Sequence, residues 1–170
     1  MNSPLTQSLL SNVSQCGVRP KIAFIQAGWH EDIVGQCRDA FFEAMKSHGF
    51  DRKDLDIQQV AGAFEIPLAA KRLAASGKYA TIVTAAFVVD GGIYRHDFVA
   101  QTVVSALMQI QIETDVPVLS GVLTPHKYHA TEEHNQFFRD HFRVKGKELA
   151  DACVSTISGS VTIDSPTPDT

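Results

Sequence analysis

Gly28-Trp29-His30 places the only tryptophan of the chain directly after the apolar run KIAFIQA (Lys21–Ala27). A flat ring at the end of such a run can stack on a heterocycle; the alternative is a plug for the end of the core. A second segment, Gly62-Ala63-Phe64-Glu65-Ile66-Pro67, joins a glycine turn to a helix start. Its backbone amides can meet a polar ring edge and the Glu65 carboxylate can accept from hydroxyls, or Glu65 simply favours the helix dipole. In a third segment, Val88 to Asp97, Gly91 and Gly92 precede a helix start. Free N–H groups and the positive end of a helix dipole suit an anion such as phosphate, and Arg95 adds a full charge. The pattern is neither GxGxxG nor a Walker sequence, so a nucleotide is only weakly suggested. His96 beside Asp97 could form an oriented acid–base pair, although neighbours on a helix point apart and a surface histidine is the commoner outcome.

The fourth segment, Thr124 to His134, holds His126, His129 and His134 with Glu132 and Glu133. HxxH is present, but HExxH and a nearby cysteine ligand are absent, so no metal is expected. A solvated surface, or a second anion cluster with Lys127, Arg139 and Arg143, fits the residue types better. A Cys–His–Asp nucleophile fails as well, since Cys16, Cys37 and Cys153 all fall away from these segments.

The elements that carry these segments alternate. Lys21–Ala27, Leu55–Val60, Thr81–Val89 and Val116–Leu123 have the short apolar or β-branched character of strands. Glu31–His48 carries Ile33, Val34, Cys37, Phe41 and Met45 at helical spacing and stops at Gly49. Further helices are expected from Pro67 to near Gly77, from about Arg95 to Glu113, and over His129–Phe142 and Lys145–Ser158 with a loop between them. The order β-α-β-α-β-α-β-α-α predicts an α/β fold: a three-layer αβα sandwich around a four-stranded parallel sheet. Ligands of such sheets bind beyond the carboxyl ends of the strands, and all four segments fall there.

The 170 residues suit one domain, and 44% apolar with 20% charged residues excludes disordered and fibrous classes. Net charge of −4 argues against nucleic acid or an anionic membrane surface as the main partner. The longest apolar run, Ala85 to Val89, is too short to span a bilayer, and no signal peptide is visible. An odd number of scattered cysteines predicts reduced thiols and a cytoplasmic protein. Residues 1–20 are expected to be an arm, 21–157 the domain, and 158–170 a disordered tail.

GAFEIPLAAKRLA (Gly62–Ala74), GGIYRHDFV (Gly91–Val99) and PVLSGVLT (Pro117–Thr124) resemble the 6,7-dimethyl-8-ribityllumazine synthases, in matching order from about Lys21 to Ile157. The VVDGGIYRHDFV form is similar to the family's second type, which assembles as decamers rather than capsids. The resemblance implies condensation of 5-amino-6-(D-ribitylamino)uracil with (2S)-2-hydroxy-3-oxobutyl phosphate, the penultimate step of riboflavin biosynthesis, with no metal or redox cofactor. It implies that Trp29 stacks on the pyrimidine, and that Ala63, Phe64 and Glu65 hold the uracil and ribityl groups. Phe87, Val88 and Val89 would line the pyrimidine, and Gly92 and Ile93 would form the phosphate loop. Ser120 and His134 fall at positions that complete the site, Ser120 from the neighbouring subunit. A homopentamer or dimer of pentamers is implied, with residues 1–20 joining the adjacent subunit's sheet.

Three positions depart from the family pattern. The usual catalytic histidine aligns with Arg95, and the histidine here stands one place later, at His96; these two are the catalytic candidates. An arginine cannot act as a base at neutral pH, but it can hold phosphate or polarise a carbonyl. Ile93 and Tyr94 replace hydroxyl residues, and Asp90 replaces a basic one. These departures motivate an alternative of a different class, a catalytically weak paralogue that binds lumazine or flavin as an oligomeric scaffold. A flavodoxin-like nucleotide binder rests on architecture alone and ranks last.

Overall fold

The computed structural model describes residues 20–93 and 95–163. Residues 1–19 of the expected arm (1–20) and 164–170 of the expected tail (158–170) lie outside the described residues. Strands β1 (Lys21–Ala27), β2 (Leu55–Val60), β3 (Tyr79–Phe87) and β4 (Val118–Leu123) form one parallel sheet in the order β2-β1-β3-β4. Helices α1 (Glu31–Ser47), α2 (Ile66–Ala75), α3 (His96–Thr114) and α4 (Glu132–Ile163) cover it, α1 and α4 on one face and α2 and α3 on the other.

β3 shows why its sequence is a nearly unbroken apolar run. Every residue from Thr81 to Val88 is buried, as expected of an inner parallel strand with both faces covered. Its two threonine hydroxyls donate to the carbonyls of Ala80 and Leu119, at 2.8 and 3.2 Å, so neither is stranded in the core. β1 divides its side chains by alternation: Ile22 and Phe24 enter the α1/α4 core, and Ala23, Ile25 and Ala27 the α2/α3 core.

From β1 the chain moves outward to β2, then crosses back past β1 to β3 and β4. The direction of winding therefore reverses between β1 and β3, which opens a crevice at their carboxyl ends. The loops after β1 and β3 are two of the four segments singled out in the sequence.

The carboxyl-terminal region corrects the expectation of two helices. α4 runs without a break from Glu132 to Ile163, past the Ser158 at which a tail was expected. Its start lies at Thr131, whose carbonyl accepts the Asn135 N–H at 2.9 Å and whose hydroxyl accepts that of His134 at 3.3 Å. The buried stripe Phe138, Phe142, Leu149, Ala150, Cys153 looks interrupted because Gly146 fills the gap. A Cβ at Gly146 would run into the Cys37 carbonyl oxygen and come within 2.9 Å of the Phe41 nitrogen. The helix carries a glycine there because the α1 backbone passes too close for a side chain, not because the helix stops.

α3 is apolar on two adjacent faces. Ala100, Val103, Leu107 and Ile110 are buried, while Phe98, Val104, Met108 and Ile112 form an exposed stripe beside them. No helix among the described residues is long and apolar enough to cross a membrane.

Candidate active site

The loop after β1 continues the sheet by one hydrogen bond, Gly28 N–H to the Val60 carbonyl at 2.8 Å, and then turns outward. Trp29 is 66% exposed, so it is no plug for the core. Its indole lies over Gly62, with ring atoms 3.9 and 4.0 Å from where a Cβ would stand on that glycine. A Cβ there would make an ordinary van der Waals contact with the ring and would come within 3.3 Å of the Glu65 carboxylate. His30 adopts the left-handed conformation (φ 54°, ψ 43°), and its carbonyl accepts the first N–H groups of α1, from Ile33 and Val34. Such a backbone is sparsely populated for a residue other than glycine and recurs at functional sites. The His30 ring meets the edges of Phe87 and Tyr128, with centroids 5.5 and 5.9 Å apart.

After β2, residues Ala63–Glu65 form one 3-10 turn that leads into α2. The Glu65 carboxylate accepts the Gly62 N–H at 2.8 Å. One of its oxygens thus holds the turn that supports Trp29. Phe64 stands exposed at the rim. At the end of β3, Phe87 and Val88 are buried and Val89 is half-buried. The Val88 N–H donates to the Leu123 carbonyl at 2.9 Å, which fixes the strand end.

Together these loops enclose a cleft of about 480 Å³ at the β1/β3 switch point. Of the residues singled out in the sequence, Trp29, Ala63, Phe64, Glu65, Phe87, Val88, Val89 and His96 line it. A small, largely apolar cleft with one carboxylate, one exposed indole and two imidazoles suits a flat polar heterocycle and proton transfer to it. Gly62 and Gly91, read in the sequence as turn glycines, also line the cleft, as do His30 and Val99, neither of which was assigned a role from the sequence. Position directly after Trp29 in a strand-end loop was the signal that could have found His30.

Gly92, Ile93, Arg95, Ser120 and His134 are not among the lining residues. Ile93 is 87% exposed, and Gly92, at φ +74°, donates its N–H to the Asp90 carboxylate at 2.9 Å. The Arg95 guanidinium is held by both oxygens of Asp97, at 2.8 and 3.2 Å, and lies 4.1 Å from the centre of the Phe98 ring. The hydrogen bonds and charge of that pair raise the arginine's pKa and lower the aspartate's. Ser120 is exposed on the edge strand β4, its hydroxyl accepting the Val122 N–H at 3.4 Å. His134 sits at the start of α4, where Nδ1 accepts the His129 N–H at 3.2 Å.

The second anion cluster does not form. Arg139 bridges Glu132 and Asp32 at 2.6 and 2.8 Å, and those hydrogen bonds raise its pKa. Arg143 donates to Gln36 at 2.9 Å. Both cations tie α4 to α1 or to its own first turns. Cys37 and Cys153 are wholly buried, and burial pushes both thiols up to about 12, so neither is a nucleophile. Cys16 lies outside the described residues.

The fold and cleft define a parallel αβα protein with a largely apolar cleft at its topological switch point. The family model for 6,7-dimethyl-8-ribityllumazine synthase matches residues 19–160. The chain is 62% identical over 138 residues to 6,7-dimethyl-8-ribityllumazine synthase 2 of Pseudomonas syringae pv. tomato, covering 81% of each chain. It is 53% identical to the 6,7-dimethyl-8-ribityllumazine synthase of Rhodococcus erythropolis, covering 81% of this chain and 88% of that one. Synthase 2 of Bradyrhizobium diazoefficiens is 50% identical, with 82% and 83% covered. The chain belongs to the 6,7-dimethyl-8-ribityllumazine synthase family, and this membership places it among the transferases of riboflavin biosynthesis.

Proposed function

We propose that the cleft between Trp29 and the Phe87–Val89 strand end condenses 5-amino-6-(D-ribitylamino)uracil with (2S)-2-hydroxy-3-oxobutyl phosphate to give 6,7-dimethyl-8-ribityllumazine. The observation that carries this reading is the exposed Trp29 indole over Gly62, facing an apolar strand end across a cleft of about 480 Å³. The pyrimidine stacks on Trp29 against Val88 and Val89, with its polar edge toward the backbone of Ala63 and Phe64. Glu65 keeps one carboxylate oxygen on Gly62 and offers the other to ribityl hydroxyls. The loop through Gly92 and Ile93 takes the phosphate.

In this geometry the amine of the uracil adds to the ketone, water is lost to give an imine, phosphate leaves, and ring closure expels a second water. Holding two reactants in register supplies much of the acceleration. His96, which lines the cleft, moves protons between the amine and the departing oxygens. Arg95 serves charge rather than proton transfer, since its guanidinium remains protonated and is directed at Asp97.

The working unit is a homo-oligomer, a pentamer or a dimer of pentamers, in which a neighbouring copy brings Ser120 and His134 to the cleft. The exposed stripe Phe98, Val104, Met108 and Ile112 on α3, with Leu68 on α2, supports this, because faces of that kind are normally covered. The protein works in the cytoplasm. The test is the rate of lumazine formation from both substrates with the purified oligomer, against a protein-free blank, because imine formation proceeds unaided. A clear protein-dependent rate is expected. A rate equal to the blank, from an intact oligomer, would overturn the reading.

A further inference from the structure

The loop assigned to phosphate has the shape for an anion but not the charge. At φ +74° the Gly92 amide is turned to donate, and it donates to Oδ1 of Asp90 at 2.9 Å. The nearest full cation in the segment, Arg95, has its guanidinium held by both oxygens of Asp97. Between residues 90 and 97 the formal charges are therefore two aspartates against one arginine, and that arginine is already paired. A phosphate arriving at this loop meets an amide occupied by the protein's own carboxylate, and a like charge beside it.

The turn does not need that charge. An asparagine at the same place makes the same side-chain oxygen to N–H bond two residues on, and tolerates the same backbone. The negative charge of residue 90 is separable from the loop's geometry, so its effect on an incoming anion can be isolated.

We propose that Asp90 is a specificity-determining residue: its carboxylate occupies the Gly92 amide as a resident anion and weakens binding of the phosphate substrate, leaving the uracil substrate untouched. This rests on the assignment of the Gly92 loop to phosphate. The Asp90 carboxylate and the substrate phosphate compete for one donor, and the phosphate must also overcome repulsion from the charge it displaces. In a water-exposed loop, one like charge a few ångströms away changes anion affinity by roughly three- to tenfold.

The experiment compares wild-type protein with Asp90→Asn, Asp90→Ala and Gly92→Ala in the assembled oligomer. It measures KM for each substrate and competitive inhibition by inorganic phosphate. Asp90→Asn is expected to lower both KM for the phosphate substrate and the inhibition constant of inorganic phosphate by roughly three- to tenfold, with KM for the uracil unchanged. Asp90→Ala, which also frees the amide, should lower them at least as far. Gly92→Ala strains a residue at φ +74° and should raise both. If Asp90→Asn and Asp90→Ala leave both constants unchanged while Gly92→Ala raises them, the phosphate assignment stands and the role of Asp90 is refuted. If none of the three variants moves either constant, the assignment of the loop falls, and the role of Asp90 with it.

Discussion

Replacing Trp29 with alanine separates the two substrates. The indole rests on Gly62 and leaves 66% of its surface to the cleft and solvent, so most of its stacking face is free for a ligand. A heterocycle stacked on an aromatic side chain gains about 1–3 kcal/mol, which corresponds to roughly ten- to hundredfold in affinity. The fold loses a comparable amount at most, because only about a third of the residue is buried. That is roughly 80 Å² of surface, which caps the loss at about 2 kcal/mol. Trp29→Ala should therefore raise KM for the uracil substrate by roughly ten- to hundredfold and change KM for the phosphate substrate by less than about threefold. Trp29→Phe keeps a stacking ring and should restore most of the loss. The assay is steady-state kinetics with each substrate varied in turn, on protein whose oligomeric state has been checked by light scattering. Equal loss for both substrates in an intact oligomer, or no rescue by phenylalanine, would refute the stacking role.

His96→Asn should lower kcat by about a hundredfold or more with little change in either KM, as expected for a lost proton-transfer group; a rise in KM at constant kcat would make it a binding residue instead. Gly146→Ala should lower stability by about 2–4 kcal/mol, since its methyl group would meet the Cys37 carbonyl and the Phe41 nitrogen across the α1–α4 crossing. A thermal unfolding curve that matches wild type would show that the helices separate at little cost. In a Cys16→Ser background, a thiol reagent at pH 8 should leave the native protein unlabelled and mark Cys37 and Cys153 only on unfolding. At thiol pKa values of about 12, roughly one molecule in ten thousand carries the thiolate at that pH. Prompt labelling of the folded protein would contradict their burial.

The sheet was legible because its signals are local. KIAFIQA and the β-branched run from Thr81 are short apolar stretches bounded by glycine or polar residues. The strand-end rule then pointed to the loops that hold Trp29 and Glu65, while Phe87 came only from the family resemblance. What escaped the sequence depends on contacts between distant segments. Gly146 interrupts the apolar stripe of α4 as a helix end would, and only the passage of α1 against it explains why the helix continues. Arg95 has the charge and position for phosphate, yet its side chain closes on Asp97 two residues later and on the ring of Phe98. Arg139 and Arg143 look like free cations in the sequence but are spent on Asp32 and Gln36 of α1. His30 went unmarked because its left-handed backbone, not its residue type, turns the ring toward Phe87. Ser120 and His134 stand outside the cleft in a single subunit, and the apolar stripe on α3 becomes meaningful only as a face to be covered.

The central claim, that the uracil substrate is held against Trp29, can be tested on the unaltered protein, because Trp29 is the only tryptophan in the chain. Its fluorescence, corrected for ligand absorbance, should be quenched saturably by 5-amino-6-(D-ribitylamino)uracil, over the concentration range set by KM and at one equivalent per subunit. Inorganic phosphate alone should leave it almost unchanged. Turnover at substrate concentrations that produce no quenching would place the reaction elsewhere in the molecule and contradict the account.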